Sequence, residues 1–532
     1  MYSKTSVTMK TIGQTRSTMA MREETARSVK LNREISKMLP EAIEKDRLIK
    51  IGYGSGGDTK PRDGDFGVVT HLPEKSRVLI LGNLGECVGS MNRGGILNVE
   101  GSCSSMLGAF QSSGRIVVER DVGDRLAMNM KGGDIVVMGS AGMDACAGMV
   151  GGTVVIRGHA SSGVGSGMKG GTLVVLGSVG EEPGISMTGG KIIIAGSCPP
   201  PGEGAKMRSI STEEVLEISE ILEPLGLSVE DDALVLIPEE TGATRSVPPK
   251  RWISEGFDKI AISPLGPERI AEHSKVDTSV RLPPVGSDEG GLFLDVPWVI
   301  KSDKGHSTSS KNSLPKMVKT DPTDGDLLVI GENELMAFPD NISGISGIVL
   351  DLQMMPPMND AEIEAILVSM SSQIDDNCLI LLRDGVERVE GLFRLIVDLD
   401  LDGAVVGVAT PGGSRASASL PRIGLSSRAM GFESQRRIVA IEITSQPTAE
   451  DMIVTRASGC SFIIGPLDEE TGEEGIRSKV IPELVGLMKE SGISSLGTVG
   501  RRALRAKDME TAAISGLRLV GFERALPMWL GN

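Results

Sequence analysis

The chain has 532 residues, a formal net charge of −16 and a hydrophobic fraction of 40%. This length predicts two or three domains, each with its own core, and the negative charge argues against a general nucleic-acid binder. No apolar run approaches the roughly 18 residues that a membrane span needs, and the N-terminus lacks the apolar core of a signal peptide. We therefore expect a cytoplasmic protein that binds neither nucleic acid nor membrane.

The six cysteines show no spacing typical of a metal site. They lie far apart, form no C-x-x-C pair and have no ligand-like spacing to any of the four histidines. We predict buried thiols and no metal ligands at Cys87, Cys103, Cys146, Cys198, Cys378 and Cys460.

A helix is predicted near the N-terminus, within residues 20–46. Its apolar positions Leu31, Ile35, Leu39 and Ile43 recur at four-residue spacing. The first fifty residues are locally basic, which we interpret as a solvated helix face rather than a binding tail. Residues 1–62 are accordingly predicted to form a helical lead-in.

A glycine pair that returns every 19 residues dominates the next segment. Each pair precedes a β-branched run and another glycine, as in Gly133 to Gly139. A period this strict predicts one stacked structural unit, and buried parallel strands are rich in such residues. Residues 63–198 are therefore predicted to form a right-handed parallel β-helix of about seven turns, with the pairs Gly94-Gly95, Ser113-Gly114, Gly132-Gly133, Gly151-Gly152, Gly170-Gly171 and Gly189-Gly190 at its corners.

Four methionines fall at one fixed place in the repeat, two residues before the first glycine of a pair. A methionine ladder inside the coil is the expected role of Met130, Met149, Met168 and Met187. A glycine-rich phosphate cradle does not fit, because such a cradle needs one loop feeding a helix, whereas these periodic copies feed strands.

A connector is predicted over residues 199–251. The breaker Pro199-Pro200-Pro201-Gly202 ends the repeat. Ser211 and Glu214 then form a capping-box pattern that predicts a helix through about Leu222.

From residue 252 to the C-terminus, predicted strands alternate with predicted helices such as Asp360–Ser371 and Thr448–Ala457. This alternation indicates a parallel sheet with crossover helices. The polar, breaker-rich stretch Lys301–Asp326 is predicted to be a linker or surface loop. The predicted strands are Leu327–Ile330, Ile348–Leu352, Cys378–Leu382, Ala404–Val408, Ile438–Ile443 and Ser461–Ile464.

The repeat resembles a known domain type. The pattern from Gly139 through Gly151-Gly152 to Ile156 is similar to the G-x-G-x-G domain of glutamate synthase. The same domain type forms one of the subunits of formylmethanofuran dehydrogenase. The stretch Leu31–Ile35, leading to Ile49–Gly52, is similar to the start of the archaeal, separately encoded version of this domain.

The second half resembles the FMN-binding barrel of glutamate synthase. Phe257–Ile260 and Leu294–Pro297 are similar to its lead-in, and Gly403–Val406 to one of its strands. The resemblance implies a reduced, degenerate (β/α) barrel over residues 252–532. It also implies a possible FMN site, whose residues would be Gly412, Gly413, Ser414 and Arg383.

Several departures from the family pattern bear on cofactors. Where the family binds the flavin phosphate through a D-G-G-x-R-T-G turn, this chain has Ile443–Ala449, and Pro447 removes an amide donor. Where the family carries three cysteines for an iron–sulfur centre, this chain has the acidic loop Asp468–Glu474, so no cluster is expected. Between Pro297 and Gly325 there is too little sequence for the family's early βα units, which predicts a shortened barrel.

Arg383 stands where the family pattern has a strand-end lysine. It could act as a cation near a flavin or a 2-oxo acid, although it cannot give up a proton. A structural ion pair is the alternative role.

Three hypotheses on function remain open. The first is an FMN-dependent oxidoreductase of glutamate synthase type, acting on a CH–NH₂ group in glutamate biosynthesis and nitrogen metabolism. The second is a non-catalytic scaffold or regulatory protein built on the β-helix. The third, a relative of the formylmethanofuran dehydrogenase component with the same domain type, accounts for the repeat but not for the C-terminal half. The expected partners are further copies of the chain or other glutamate synthase-type subunits.

Overall fold

A computed structural model describes residues 5–53, 64–239, 257–264, 269–303, 314–336, 338, 342–408, 416–469 and 471–521. The chain divides into two compact units. Unit 1 contains residues 1–245 and also residues 358–373, and unit 2 contains residues 246–357 and 374–532. In the part of the chain that is described, no helix is both long and apolar enough to cross a membrane.

The helices that the structure describes are α1 Thr5–Glu44, α2 Thr212–Leu222, α3 Glu332–Met336, α4 Asp360–Ser371, α5 Val389–Asp398, α6 Ala416–Ala429, α7 Ala449–Ala457, α8 Gly472–Gly475, α9 Ile481–Glu490 and α10 Met509–Ser515. Short 3₁₀ turns cover Glu223–Leu225, Val386–Arg388 and Arg501–Ala503, and a π turn covers Ile476–Val480.

The strands of unit 1 are β1 Ile49–Ile51, β2 Arg77–Leu81, β3 Arg93–Glu100, β4 Ser113–Val118, β5 Asp134–Val137, β6 Thr153–Ile156, β7 Lys169–Val175, β8 Gly189–Ile194, β9 Ala205–Ser209 and β10 Leu234–Pro238. The strands of unit 2 are β11 Ile260–Ile262, β12 Val280–Leu282, β13 Leu292–Leu294, β14 Trp298–Lys301, β15 Lys316–Val318, β16 Leu327–Ile330, β17 Gly347–Asp351, β18 Leu379–Gly385, β19 Gly403–Gly407, β20 Ile438–Glu442, β21 Phe462–Gly465, β22 Leu504–Ala506 and β23 Arg518–Leu519.

Unit 1 is built on a ten-stranded sheet in which β1 to β8 follow one another in chain order and pair in parallel. The pairing keeps the 19-residue period of the sequence, and one row of partners is Ile116, Ile135, Val154, Leu173 and Ile192. The prediction that each strand pairs with its copies in the repeats before and after it is therefore confirmed.

A second parallel row of bridges lies outside these strands and has the same period. It joins Leu84, Cys103, Val122, Ala141, Ala160 and Val179 in succession. The four methionines of the predicted ladder are buried in the same core as the inward side chains of the strands. Each repeat therefore contacts the next repeat along two rows and through its interior.

In every pair after the first, the second glycine occupies a position that other residues would not tolerate. Gly152 has a φ of +92°, and a Cβ there would lie 2.5 Å from the carbonyl oxygen of Gly133. Left-handed backbone is costly for residues with a Cβ, and no side-chain atom fits at such a distance. The register of the glycines thus results from close backbone stacking of one repeat on the next.

Non-glycine residues also occupy left-handed backbone in the repeat. Arg125, Ala127 and Asn129 have φ values of 56°, 56° and 52°, at alternate positions of one repeat. The positions 19 residues later, Asp144, Cys146 and Gly148, are left-handed as well. The glycine pattern of the sequence therefore marks only some of the left-handed positions.

Both ends of the stacked sheet have distinct partners. Leu31, Ile35 and Leu39 of α1 join the interior core at the β1 end. At the other end, β10 pairs antiparallel with β8 and with β9. The helix α2 has the predicted capping box between Ser211 and Glu214, and it covers the outward side chains of the later strands together with β10.

Unit 2 contains a closed barrel of eight strands, β14 to β21, all parallel. All six predicted strands are present within about one to three residues, and Leu327–Ile330 matches at both ends. The helices predicted at Asp360–Ser371 and Thr448–Ala457 are also present. The second half is therefore an α/β barrel.

One expectation about the front of the barrel is wrong. The barrel has eight strands, because β14, β15 and β16 complete the circle. The stretch predicted as a linker contains β15, whose Met317 and Val318 are buried. No helix separates β15 from β16 in residues 319–326, which the structure describes. Three short strands thus close the barrel with little chain between them.

The helix α4 follows β17 in the sequence but belongs to unit 1. Its Glu362 forms an ion pair with Arg125 of the repeat, and its Ser369 donates a 2.7 Å hydrogen bond to Thr70. Arg33 of α1 donates to the carbonyl of Ser371. The helix is buried over most of its length. The segment 358–373 is thus part of unit 1, although the residues before and after it belong to unit 2.

Candidate site at the carboxyl ends of the barrel strands

Charged side chains occupy the last inward positions of the barrel strands. Side chains alternate between the two faces of a strand, and Val299, Val349, Leu381 and Ala440 belong to the interior core of the barrel. The residues two positions further on, at the carboxyl ends of β14, β17, β18 and β20, are Lys301, Asp351, Arg383 and Glu442. Barrel enzymes build their active sites at this end.

These four residues form one ion network. Arg383 donates from Nε to Glu442 Oε2 at 2.5 Å and from Nη1 to Asp351 Oδ2 at 2.7 Å. Lys301 Nζ lies 2.5 Å from the second oxygen, Oε1, of Glu442. Gln353 Oε1 lies 3.4 Å from Arg383 Nη1. The network contains two cations and two carboxylates, so it carries no net charge.

Burial within the network is uneven. The side chains of Asp351 and Glu442 are 3% and 5% exposed, whereas that of Lys301 is 45% exposed. Asp351 and Glu442 are therefore held inside the barrel, and the lysine is the member that solvent reaches.

The environment shifts the pKa values of both carboxyl groups. Burial acts to raise the pKa of Glu442, but the charges and hydrogen bonds of Arg383 and Lys301 outweigh it and hold the pKa below its usual range. Burial raises the pKa of Asp351, and the single contact with Arg383 opposes this only in part. Glu442 is thus the firmly ionised member, because two cations face it.

Of the residues proposed for a cofactor, Arg383 lies at this site, and its guanidinium is engaged with two carboxylates. A Cβ added at Gly407, at the end of β19, would lie 3.8 Å from the guanidinium, so Arg383 lies beside that glycine. Gly412, Gly413 and Ser414 lie outside the described residues. Their proposed role stays a prediction.

The turn after β20, where the family resemblance implies a flavin phosphate, is closed by its own side chains. Thr448 accepts the amide hydrogen of Asp451 at 3.1 Å, and the Asp451 carboxylate accepts from the amide and the hydroxyl of Thr448. The same carboxylate also accepts from the amide of Phe257. The N-terminus of α7, the usual place for a bound anion, thus already holds one.

Pro447 fills the space beside the next strand. A Cβ at Gly465 would lie 2.6 Å from Cδ of Pro447 and 2.8 Å from the carbonyl of Ser445. The proline ring therefore packs where a phosphate-binding turn would present open backbone. These residues do not fit a flavin phosphate, because they replace amide donors with a carboxylate and a ring.

The acidic loop after β21 takes part in an ion pair. Its Glu473 lies 3.3 Å from Lys316 Nζ. Within the described ranges, no group of three or more histidine, cysteine or acidic side chains is placed to hold a metal ion. The cysteines are free thiols, of which five are buried as predicted and Cys198 is only half-buried.

Sequence reasoning found Arg383 but missed Lys301, Asp351 and Glu442. Asp351 and Glu442 each end a buried apolar run, and a charged residue at the end of such a run was the available signal. Lys301 ends a strand that was not predicted, because that strand has only four residues and precedes a polar stretch.

Comparisons with known proteins add only a distant likeness. No family model matches the chain, and no curated protein matches it. Among solved structures, an oxidised active mutant of (S)-mandelate dehydrogenase is 13% identical with a TM-score of 0.31. A mandelate oxidase is 14% identical with a TM-score of 0.32, and a soluble mutant of the membrane-associated (S)-mandelate dehydrogenase from Pseudomonas putida is 11% identical with a TM-score of 0.30. Each match covers 47% of this chain and 88% of the other.

Proposed function

We propose that this chain is a glutamate synthase-related protein of nitrogen metabolism whose barrel no longer binds FMN. In this proposal the barrel is a scaffold or regulatory domain. The observation that carries the proposal is the closed turn after β20, where Asp451 and Pro447 stand in place of phosphate-binding amides. The repeat, with its 19-residue register intact, provides the rigid part of the scaffold.

Electrostatic repulsion is the physical reason why we expect this turn not to bind the phosphate of FMN. A flavin phosphate at the N-terminus of α7 would face the carboxylate of Asp451, which is itself buried and hydrogen-bonded. The negative charges of the phosphate and of the Asp451 carboxylate would repel each other, and burial would strengthen this repulsion. Arg383 offers little compensation, since Glu442 and Asp351 already neutralise it.

A flavin titration tests this proposal. Purified full-length protein should be colourless above 350 nm, and added FMN should keep its free fluorescence up to about 100 μM, a concentration well above the Kd of an ordinary cofactor. Saturable quenching with a Kd in the low micromolar range would contradict the proposal.

A double variant tests the stated cause. In Pro447→Gly with Asp451→Asn, the ring and the negative charge are removed while a capping side chain remains. FMN should then bind at least about tenfold more tightly than to the wild type, because a repulsive contact has been lost. The matched control is Asp508→Asn, which alters the cap of α10 and should leave FMN binding unchanged.

The second candidate is an FMN-dependent oxidoreductase of glutamate synthase type. It is favoured by the closed parallel barrel and by the two cations, Lys301 and Arg383, at the carboxyl ends of its strands. Under this hypothesis Lys301, the more exposed cation, would face the substrate. Flavin-dependent oxidation of a reduced nicotinamide or ferredoxin donor by the purified protein would support it.

We further propose that the repeat is a right-handed parallel β-helix. The two parallel rows at the same 19-residue spacing support it. We also propose that the protein acts as a homo-oligomer or with glutamate synthase-type subunits, and light scattering on the purified chain would measure its oligomeric state. An experimental map that resolved the hand of the coil would test the first of these proposals.

A further inference from the structure

A cavity of about 310 Å³ lies in unit 2, at the end of the barrel opposite to the ion network. One wall is the turn between β12 and β13, and the other is the turn before β20. Because the barrel strands are parallel, the amino end of β20 is far from the carboxyl ends that hold the network. The volume is near the lower limit of ligand pockets, which favours a small molecule. The lining includes Pro283, Pro284, Val285, Asp288, Gln435 and Arg436.

Both walls are held in place by buried charged side chains at the amino ends of the barrel strands. In the first wall, the amide of Val285 donates to the carboxylate of Asp402 at 2.6 Å. In the second wall, Arg437 donates from Nε to Gln435 Oε1 at 2.7 Å and from Nη1 to the carbonyl of Leu401. Asp402 and Arg437 are both buried. A ligand would therefore enter a cavity whose walls are already fixed, which lowers the entropy cost of binding.

Two opposite charges line the cavity and bind each other only weakly. Arg436 Nη1 lies 3.5 Å from Asp288 Oδ1, and the two side chains are 81% and 93% exposed. An exposed ion pair of this kind contributes little to stability, so a ligand can replace it at small cost. Among the residues that the structure describes, neither side chain has a second ionic or hydrogen-bonding partner.

The remaining lining supplies one further donor and an apolar wall. Because Gln435 Oε1 accepts from Arg437, the amide group of Gln435 has a fixed orientation and keeps its Nε2 hydrogens for a ligand. The apolar wall consists of Pro283, Pro284 and Val285. The two prolines have no amide hydrogen, and the amide of Val285 is already bonded. This wall therefore offers apolar contact and no hydrogen-bond donor.

We propose that this cavity binds a free α-amino acid with an apolar side chain. The ligand's carboxylate would accept from the guanidinium of Arg436 and from Nε2 of Gln435, and its ammonium group would face Asp288. An α-amino acid carries both charged groups on one carbon atom, which suits two protein charges that lie only 3.5 Å apart. Its side chain would lie against the apolar wall and be removed from water there. A ligand with a single charge would leave Arg436 or Asp288 without a partner.

A ligand-observed NMR titration of the full-length protein tests the proposal, with L-leucine as the probe. We expect saturable binding with a Kd of about 1 mM or below, which is an ordinary affinity for so small a ligand. L-Leucinamide lacks the carboxylate and N-acetyl-L-leucine lacks the ammonium group, so each should bind at least about tenfold more weakly. No saturable binding of L-leucine up to about 20 mM would overturn the proposal.

Substitutions assign the two charges of the ligand to their partners. Arg436→Gln should weaken the binding of L-leucine at least about tenfold and leave that of L-leucinamide unchanged. Asp288→Asn should weaken L-leucine to a similar extent and leave N-acetyl-L-leucine unchanged. Both variants should melt at the wild-type temperature, because both side chains are exposed. The control Arg477→Gln, exposed elsewhere in unit 2, should bind L-leucine normally.

Two further outcomes would contradict the assignment. One is binding of L-leucine that Arg436→Gln and Asp288→Asn both leave unchanged, which would place the ligand elsewhere. The other is equally tight binding of 4-aminobutyrate, whose charged groups are separated by three methylene groups, which would show that the site does not select α-amino acids. The cavity lies away from the ion network and from the turn at Asp451, so this test is independent of whether the barrel binds flavin.

Discussion

At the scale of single residues, burial decides the charge state of His71 in unit 1. The side chain is 3% exposed, and its Nδ1 lies 3.4 Å from the guanidinium of Arg93. Burial lowers the pKa of His71 to about 3, and the charge of Arg93 contributes in the same direction. The imidazole is therefore neutral throughout the physiological range.

This pKa predicts how stability depends on pH. The folded-state value of about 3 is below the unfolded value of 6.5, so between these values only the unfolded chain binds the proton. The stability that the neutral histidine contributes is complete above pH 6.5 and is lost as the pH falls toward 3, by up to about 1.4 kcal/mol per pH unit. Denaturant unfolding of wild type and His71→Asn, measured from about pH 7 to about pH 4.5, should show a smaller slope in the variant.

The choice of Asn and of a control makes that test specific. His71 has a left-handed φ of 55°, which asparagine tolerates better than most residues. His273 is exposed, so His273→Asn should keep the wild-type slope. Equal slopes in wild type and His71→Asn would show that His71 titrates normally.

From the sequence, Arg383 was predicted to be a site residue, with a structural ion pair as one of its two possible roles. The identity of its partners could not be predicted, because Asp351 and Glu442 are 32 and 59 residues away and meet Arg383 only when the strands lie side by side. Closure of the barrel creates this network.

At the scale of elements, the 19-residue spacing of the glycines is the feature that was most completely predicted from the sequence. In every pair after the first, the second glycine combines left-handed backbone with close approach to the preceding repeat. The left-handed positions of Arg125, Ala127 and Asn129 were not predicted, since residues other than glycine adopt a left-handed φ only uncommonly. A periodic pattern therefore predicts stacking better than it predicts the backbone of each corner.

Replacing one repeat glycine tests this explanation. In Gly152→Ala the added Cβ would lie 2.5 Å from the Gly133 carbonyl oxygen. In the control Gly226→Ala, φ is +67° but no atom lies within 4 Å. We expect a loss of about 1 kcal/mol in the control and of about 3 kcal/mol or more in Gly152→Ala, since backbone must move. Denaturant unfolding of unit 1 measures both losses, and equal losses would mean that close stacking contributes nothing.

The strands of unit 2 were predicted where they are continuous apolar runs, as in β16 and β20. The short strands β14 and β15 were missed, because three or four residues beside a polar stretch carry too little pattern. Their pairing is decided by their neighbours β16 and β21. Contacts with neighbouring strands therefore determine that these short segments are strands, which their local β-propensity alone does not.

At the scale of the whole molecule, α4 shows that chain order and packing need not agree. The helix lies between two barrel strands in the sequence, and its existence and bounds were predicted. Its membership of unit 1 was not predicted. Ile363 and the run Ala365–Met370 are buried. Apolar residues on all sides of a helix predict that it is enclosed, so the sequence of α4 did carry a signal that it packs against more than a sheet.

A substitution in α4 should therefore act on unit 1. Glu362 is fully buried and paired with Arg125. Breaking a buried pair through Glu362→Gln should lower the stability of unit 1 by about 2–3 kcal/mol. Hydrogen exchange followed by mass spectrometry should show faster exchange around Cys87, Arg125 and α4, with β20 and β21 unchanged.

The control for this prediction is Glu220→Gln on α2. Glu220 is exposed in the same unit and should leave the exchange pattern unaltered. If Glu362→Gln accelerated exchange in the barrel strands and not in the repeat, the assignment of α4 to unit 1 would be contradicted.

By itself, the sequence determined the repeat, its period, its buried methionines and most barrel strands, because these depend on local composition and on spacing along the chain. Only the tertiary structure decided the number of barrel strands, the position of α4, the partners of Arg383 and the contact of Asp451 with Phe257. Each of these depends on residues far apart in the chain that meet when the sheet closes or a helix docks. Their pairing is set by three-dimensional register and burial, which no local pattern of residues contains.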